Sequence, residues 1–186
     1  MTFRQKLIGH FCTVCRHKYY VFLFCCKAGI PWQGLIHDMS KFSPEEFWES
    51  VKYYQGNDSP INACKKANGI SYAWLHHRGR NKHHYLYWVD DFDKGMIPKQ
   101  MLFKYALEMI CDFLAAGKAY SKDKFTLKSE YEWWEKNHPT YEIHKQTKKF
   151  VDMMMKELAE KESLEPLNYK HAKRIYAVAT HLTTEL

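Results

Sequence analysis

The stretch Gly34-Leu35-Ile36-His37-Asp38-Met39-Ser40-Lys41 places a histidine beside an aspartate, after an apolar segment and before a lysine. Imidazole and carboxylate groups together suit divalent transition metals. Further groups of the same kind lie on both sides of this stretch, namely His17 upstream and His76, His77, His83, His84 and Asp112 downstream. This order of residues predicts a site that holds one or two metal ions.

The flanking candidates sit in apolar, helical surroundings. Asp112 lies inside the apolar run 109–116, where a carboxylate is costly to bury without a cation. We therefore expect Asp112 to be a ligand, with Glu108 one helical turn earlier as an outer group or a structural salt bridge. His17 lies in the first helical segment, and His10, one heptad earlier on about the same side, is an alternate candidate.

A dense group of histidines and cations covers residues 74–84. It contains four histidines and three cations in eleven residues, which suits a metal site beside an anion pocket. The sequence does not tell which histidine of each pair faces the metal. The predicted catalytic residues are Asp38, Lys41, His77 and His84, and the predicted substrate-binding residues are Lys41, Arg78, Arg80 and Lys82.

Helical periodicity runs through nearly the whole chain, and no segment shows the strict alternation of a strand. Ser43-Pro44-Glu45-Glu46 combines an N-cap serine, a proline at N1 and a glutamate at N3. The predicted helices cover residues 3–28, 36–42, 43–55, 61–67, 72–77, 98–120, 127–137, 142–162 and 167–183. The fold class is therefore all-α, with one domain over residues 1–186, a core at about 3–120 and the C-terminal helices 127–183 packed on it.

Composition agrees with a globular chain that prefers anionic partners. Apolar residues make up 46% of the 186 residues, and the formal net charge is +7. Such a charge favours nucleotides, phosphorylated metabolites or nucleic acid, although the basic residues are spread along the chain. The apolar face of residues 167–183 either closes the core or pairs with a second subunit, so a homodimer remains possible.

Six cysteines and the lack of a long apolar segment bear on the compartment. The longest apolar run, Tyr19–Cys26, is far shorter than the ~20 residues that a bilayer requires. We expect a cytoplasmic protein with reduced thiols and no membrane contact. Cys12 and Cys15 have the spacing of zinc ligands, but no second CxxC completes the four ligands.

The residues quoted above resemble the HD-domain superfamily of metal-dependent phosphohydrolases. More narrowly, HDMSKFSPEEFW, AWLHHRGRNKHH and EMICDFLAAGKAY resemble a family of uncharacterised bacterial and phage HD-like proteins over about residues 10–155. The resemblance implies an HD-like helical bundle whose core ligands are His17, His37, Asp38 and Asp112. One histidine from 76/77 and one from 83/84 would complete a second metal position. The two pairs are closer together than in many two-metal members, so the number of ions stays open.

The predicted function is a metal-dependent phosphohydrolase, a phosphomonoesterase or phosphodiesterase that acts on a nucleotide or a similar phosphate ester through a metal-activated water. The cofactor would be one or two ions of Mn, Fe, Co, Ni or Zn. Two alternatives remain: a mixed-valence di-iron oxygenase of the same fold, and a non-catalytic basic module that binds nucleic acid.

Overall fold

Nine α-helices make up most of the chain in the computed structural model, which describes residues 1–56, 58–90 and 95–181. The all-α prediction is therefore confirmed. The helices are α1 (Phe3–Lys27), α2 (Pro31–Ile36), α3 (Pro44–Tyr53), α4 (Pro60–Asn68), α5 (Tyr72–Arg80), α6 (Phe103–Ser121), α7 (Leu127–Asn137), α8 (Lys145–Lys161) and α9 (Tyr169–His181).

The core lies around α6, which packs along α1 on one side and against α7, α8 and α9 on the other. Leu107, Ile110 and Leu114 of α6 are fully buried, and they share one apolar cluster with Val21 of α1 and Phe150 of α8. Burial of side chains of this size stabilises each by about 1.5–3 kcal/mol. The helix that carries Asp112 is thus held rigidly by apolar contacts along most of its length.

Local helix signals in the sequence predicted several boundaries well. Ser43 caps α3 by accepting a hydrogen bond from the Glu46 N–H, and Pro44 occupies the first helical position. Gly69 ends α4 in the left-handed conformation, with φ of 75°. The helix predicted over 61–67 is one residue longer at each end, and the helix predicted over 72–77 continues to Arg80.

The prediction of one helical piece over residues 36–42 was wrong. Pro31 opens α2, which ends at Ile36, and a 3₁₀ turn follows at Met39–Phe42. Between them His37 has ψ of 131° and Asp38 has φ of 52°, so neither residue is helical. This non-helical turn directs the side chains of His37 and Asp38 into the protein, where both are buried.

The predicted start of the long helix at Pro98 was also wrong, as was the expectation of no strand. Val89–Asp90 (β1) pairs with Ile97–Pro98 (β2) in a short antiparallel ladder, and α6 begins at Phe103. Lys99 N–H donates to the Trp88 carbonyl at 2.7 Å, and Met101 N–H donates to Thr147 Oγ1 at 3.0 Å. These partners are distant in sequence, and therefore a local pattern could not reveal them.

The C-terminal helices agree with their predicted positions within a few residues. The helix predicted over 142–162 begins at Lys145, with His144 as its N-cap, and the helix predicted over 167–183 begins at Tyr169. Residues 182 and 183 of the latter prediction lie outside the described residues. Across the described ranges, no helix has the length and apolar character needed to cross a bilayer.

Candidate metal centre

The predicted ligands converge from five places in the chain. His17 comes from α1, His37 and Asp38 from the turn after α2, and Asp112 from α6. His77 lies on α5, and His83 and His84 lie in the turn that follows it. Their side chains form two overlapping groups, and in each group the ligand atoms lie within 4.8 Å of one another: His17, His37, Asp38 and Asp112 in the first, and Asp38, His77, His83 and His84 in the second.

The close contact between α1 and α2 positions the His37-Asp38 turn. Gly34 is buried, and a Cβ at this position would lie 2.7 Å from Cys25 Cβ and 2.9 Å from Phe22 Cα. Only glycine allows the two helices to approach so closely. Lys18 of α1 donates to the carbonyl of His37, which ties the end of α2 to the same helix.

Asp38 is the residue that the two groups share. It adopts the left-handed conformation, which is uncommon for residues other than glycine but is tolerated by aspartate. Its Oδ2 lies 3.3 Å from His37 Nε2 and 3.9 Å from His17 Nε2. Its Oδ1 lies 3.3 Å from Nε2 of both His77 and His83. Each carboxylate oxygen of Asp38 therefore faces a different group.

Asp112 closes the first group from the side of α6. Its Oδ1 lies 3.0 Å from His17 Nε2 and 3.4 Å from His37 Nε2. Its Oδ2 lies 3.8 Å from His83 Nε2 in the second group. Two carboxylates and several imidazole nitrogens thus point at a common centre, a donor set that suits divalent transition metals.

Two further carboxylates orient the histidines from outside. Glu108 Oε1 lies 3.0 Å from His37 Nδ1 and 3.3 Å from His83 Nδ1. Glu46 Oε2 lies 2.7 Å from His77 Nδ1. Burial would raise the pKa of both glutamates, but the neighbouring histidines lower it, so both carboxylates are ionised. The Nδ1–H groups of His37, His83 and His77 therefore donate to them. The Nε2 atoms are thereby left facing inward, as in carboxylate–histidine–metal arrangements.

Several inward-facing polar atoms have no hydrogen-bond partner, although buried polar groups almost always have one. Within the described ranges these side-chain atoms are His10 Nε2, His17 Nε2, His37 Nε2, Asp38 Oδ1, His83 Nε2 and His84 Nε2. All but that of His10 belong to residues in the two groups. A metal ion would satisfy these atoms at once, and the residues therefore fit such a cofactor.

The electrostatics of the site favour positive charge at its centre. Burial alone would raise the pKa of Asp38, but His37, Lys41 and His77 hold it well below its ordinary value. Burial lowers the pKa of His37, yet Asp38, Asp112 and Glu108 raise it well above the usual value. The carboxylates therefore stabilise positive charge at this centre, which a protonated imidazole or a bound metal ion can supply.

His84 and His17 behave differently from His37. Burial, followed by the neighbouring His83 and His77, holds the pKa of His84 well below its ordinary value. Burial and Lys41 also lower the pKa of His17, and the nearby Asp112 raises it in part. Both imidazoles are consequently neutral near pH 7, and the neutral form is the one that ligates a metal.

A cavity of about 220 Å³ opens onto both groups. Lys41 lines it, with Nζ 2.6 Å from Asp38 Oδ2 and about a quarter of the side chain exposed. His10 and Tyr120 also line it, so the alternate histidine faces the cavity although it lies in neither ligand group. The cavity therefore places a lysine cation beside both ligand groups.

The other predicted cations and one histidine lie elsewhere. His76 places Nδ1 2.7 Å from Glu46 Oε1 and accepts a hydrogen bond from Arg80 Nε at 2.6 Å, outside both ligand groups. Lys82 is exposed and packs over the rings of Tyr87 and Tyr105. Among the described residues that line the cavity, Lys41 is present, but Arg78, Arg80 and Lys82 are absent.

Sequence reasoning missed the role of Glu46. The pattern at residues 43–46 indicated a capping glutamate, but the Glu46 carboxylate turns toward α5 rather than back to the cap. The local sequence carries no signal for this contact, since the partners of Glu46 are His76 and His77 on α5. Cys12 and Cys15 are exposed and belong to no potential ligand group in the described ranges.

Comparison with known proteins identifies the family of the chain. A model with the description "Family of unknown function (DUF5662)" matches residues 6–157. Because the match covers most of the sequence, the chain belongs to this family. Searches of curated proteins and of solved structures found no match.

Proposed function

For this member of the DUF5662 family, we propose a metal-dependent phosphohydrolase that acts on a nucleotide or similar phosphate ester and binds two divalent ions. One observation carries the proposal: the two oxygens of Asp38 face two different groups of nitrogen and oxygen donors. Asp38 would therefore supply an oxygen to an ion held in either group. Two-metal centres of this kind hydrolyse phosphate esters in many enzymes, and the motif resembles HD-domain phosphohydrolases.

The donor set supports ions of the first transition series. Imidazole nitrogens outnumber carboxylate oxygens in the two groups, a balance suited to Mn, Fe, Co, Ni or Zn rather than to Mg or Ca. When bound, such an ion would polarise a phosphoryl oxygen and lower the pKa of a bound water to about 7. Glu46 and Glu108 would keep His77, His37 and His83 oriented throughout.

Lys41 is the residue proposed to hold the substrate phosphate. Burial lowers the pKa of its amine, but Asp38 and Asp112 raise it above the ordinary value, so the amine is cationic over the working pH range. Lys41 lines the cavity directly beside the shared carboxylate. A phosphoryl oxygen in the cavity would accept a hydrogen bond from this ammonium group.

His10 is the group proposed to accept a proton in this cavity. It faces the same cavity, and its Nε2 is buried with no hydrogen-bond partner. Burial and the nearby Lys41 lower its pKa to about 4, so the imidazole is neutral near pH 7 and can accept a proton from a water molecule in the cavity, while the departing alkoxide takes its proton from solvent. His77 and His84, which the sequence predicted to be catalytic, both lie in the second ligand group.

The experiment measures phosphate release from nucleoside monophosphates, and formation of nucleoside monophosphate from cyclic nucleotides, by protein loaded with each of the five metals. We compare wild type with Asp38→Ala and with Asp123→Ala, a matched control at an exposed carboxylate outside the ligand groups. We expect turnover in wild type and control, and a loss of about 100-fold or more in Asp38→Ala. Absence of turnover with every metal and every substrate would contradict the proposal.

The di-iron oxygenase is the second candidate, because a bridging carboxylate among histidines also suits a pair of iron ions. It predicts an iron content near two per chain and an EPR signal that changes with oxygen. A colourless protein that hydrolyses substrate with manganese or zinc would exclude this candidate.

A further inference from the structure

A second cavity, of about 380 Å³, adjoins the one at the metal centre. The two cavities share Ser59, Ala116 and Tyr120 as lining residues. Asp112 and Ala116 lie one turn apart on α6, so the shared wall begins directly beside a predicted ligand. The two cavities are therefore neighbours along α6, separated by the side chains that they share.

Glu130 of α7 is the unusual residue in this second cavity. The residue is only 8% exposed, and its carboxylate has no hydrogen bond or ion pair in the described part of the chain. It packs against the backbone of Gly117, where an added Cβ would lie 1.9 Å from Glu130 Oε1. Burial raises its pKa to about 7, because nothing nearby compensates the ionised form.

Aromatic rings and a polar wall surround this carboxylate. Phe113 and Trp133 line the cavity with their ring centroids 5.6 Å apart, and Trp133 is 42% exposed. Asp58 and Asn62 line the cavity as well. An accessible indole beside a carboxylate is an arrangement on which a flat, polar ring can stack while its edge is hydrogen-bonded.

The spacing along α6 between a predicted metal ligand and the Glu130 contact suits a nucleotide. Gly117, on which Glu130 packs, follows Asp112 by five residues, a rise of about 7.5 Å along the helix. This separation is comparable to the distance between the phosphate and the base of a nucleotide. Glu130 is thus placed to contact the base while the phosphate lies at the metals.

We infer that the second cavity binds the guanine base of the substrate, with the Glu130 carboxylate accepting hydrogen bonds from the N1–H and the exocyclic amine and with Trp133 stacking on the ring. The inference rests on the proposed phosphohydrolase function and gives it a substrate class, guanine nucleotides.

Hydrogen-bond chemistry selects guanine among the four bases. An ionised carboxylate accepts at both oxygens and donates at neither. Guanine presents two adjacent N–H donors at its pairing edge, whereas adenine, cytosine and uracil each present an acceptor next to a donor. A base without adjacent donors would leave one carboxylate oxygen buried and unpaired, which is the condition that rejects wrong ligands most strongly.

The experiment is calorimetric titration with nucleosides, which lack the phosphate and so report on the base cavity alone. Titrations of the purified metal-loaded protein run at pH 8, where the Glu130 carboxyl is ionised. We expect guanosine to bind, inosine to bind about tenfold more weakly, and 1-methylguanosine and adenosine not to bind measurably. These comparisons need no variant and stand even if a substituted protein fails to fold.

Glu130→Gln and Glu132→Gln form the matched pair of variants, since Glu132 is an exposed carboxylate two residues away on α7. Glu130→Gln should weaken guanosine binding by about 10- to 100-fold, and Glu132→Gln should leave it unchanged. Equal binding of all nucleosides, no guanosine binding, or an unaffected Glu130→Gln protein would each overturn the inference.

The result also separates this inference from the proposed function. Guanosine binding without hydrolysis of any nucleotide would support the base cavity and contradict the phosphohydrolase. Hydrolysis of all nucleotides at equal rates, without guanosine binding, would leave the phosphohydrolase standing and contradict the guanine assignment.

Discussion

Replacing Glu46 by glutamine should weaken one of the two metal positions and spare the other. Glu46 Oε2 accepts a hydrogen bond from His77 Nδ1 at 2.7 Å, and His77 belongs to the second ligand group only. The ligands of the first group are oriented by Glu108 and by their own packing. A carboxylate at position 46 therefore controls the direction of one ligand in one group.

The expected magnitude follows from what glutamine can still accept. Two imidazoles, those of His76 and His77, face the Glu46 carboxylate. In glutamine the amide oxygen can accept a hydrogen bond from one of them, but the NH₂ group cannot accept from the other. Loss of such an outer partner costs 10- to 100-fold in metal affinity, which is about 1.4–2.7 kcal/mol. Glu45→Gln is the control that removes one negative charge next to Glu46 without removing its contacts with the histidines, because Glu45 is adjacent and exposed.

The assay is a titration of metal-free protein with zinc in competition with a chromophoric chelator, fitted to two sites. We expect Glu46→Gln to keep one site at the wild-type affinity and to weaken the other within the stated range, while Glu45→Gln matches wild type. Unchanged affinity at both sites would refute the role of Glu46. Equal weakening of both would show instead that Glu46 acts on the fold as a whole, and thermal melts in chelator would detect this.

Four further changes have defined outcomes. Glu108→Gln should weaken both sites by about 10- to 100-fold in the same titration, because this carboxylate contacts one histidine of each group. Asp38→Ala should contain neither metal, as measured by plasma mass spectrometry. Removal of metal from the wild type by a chelator should lower its melting temperature by about 5–10 °C, relative to protein with metal at 100 times the dissociation constant. Gly34→Ala should lower the free energy of unfolding by about 1–3 kcal/mol in urea, because the added Cβ meets the α1 backbone at 2.9 Å, whereas Gly79→Ala, with nothing within 4 Å, should not lower it. Glu130 has its pKa raised from 4.5 to about 7, so its protonated form stabilises the fold below pH 4.5 and this stabilisation is lost as pH rises to 7. Relative to Glu130→Gln, the wild type should lose up to about 3 kcal/mol of unfolding free energy between pH 5 and 8 in urea melts, and a constant difference would contradict the raised pKa.

The sequence predicted the ligand types and their order, and the structure brings those residues together. Asp112 was predictable because a carboxylate inside an apolar helical run needs a partner, whereas His17 was assigned as a core ligand through the resemblance to HD-domain proteins. The choice between His76 and His77 was not predictable, because both lie on α5 and the outcome depends on how α5 packs against α3. Tertiary packing turns His77 toward Asp38 and leaves His76 beside Arg80.

Long-range contacts also explain the errors in the predicted fold. A local pattern interpreted Pro98 as a helix start, whereas the hydrogen bond of Lys99 N–H to the Trp88 carbonyl keeps this segment extended. Glu46 looked like a capping residue for the same reason, since its true partners lie about thirty residues later on α5. In both cases the deciding interaction joins elements that are distant in the sequence.

Asp38 shows why the chain keeps a polar centre at the place where its helices meet. Its left-handed backbone costs of order 1 kcal/mol, and its carboxylate is 1% exposed among four imidazoles. Packing alone would favour an apolar residue here, because a buried cluster of charges is rarely more stable than an apolar core of the same volume. The strain and the burial become consistent once the cluster is a binding site, since ion binding then contributes directly to the free energy of folding. Metal affinity and fold stability should accordingly change together in any variant of the shared carboxylate.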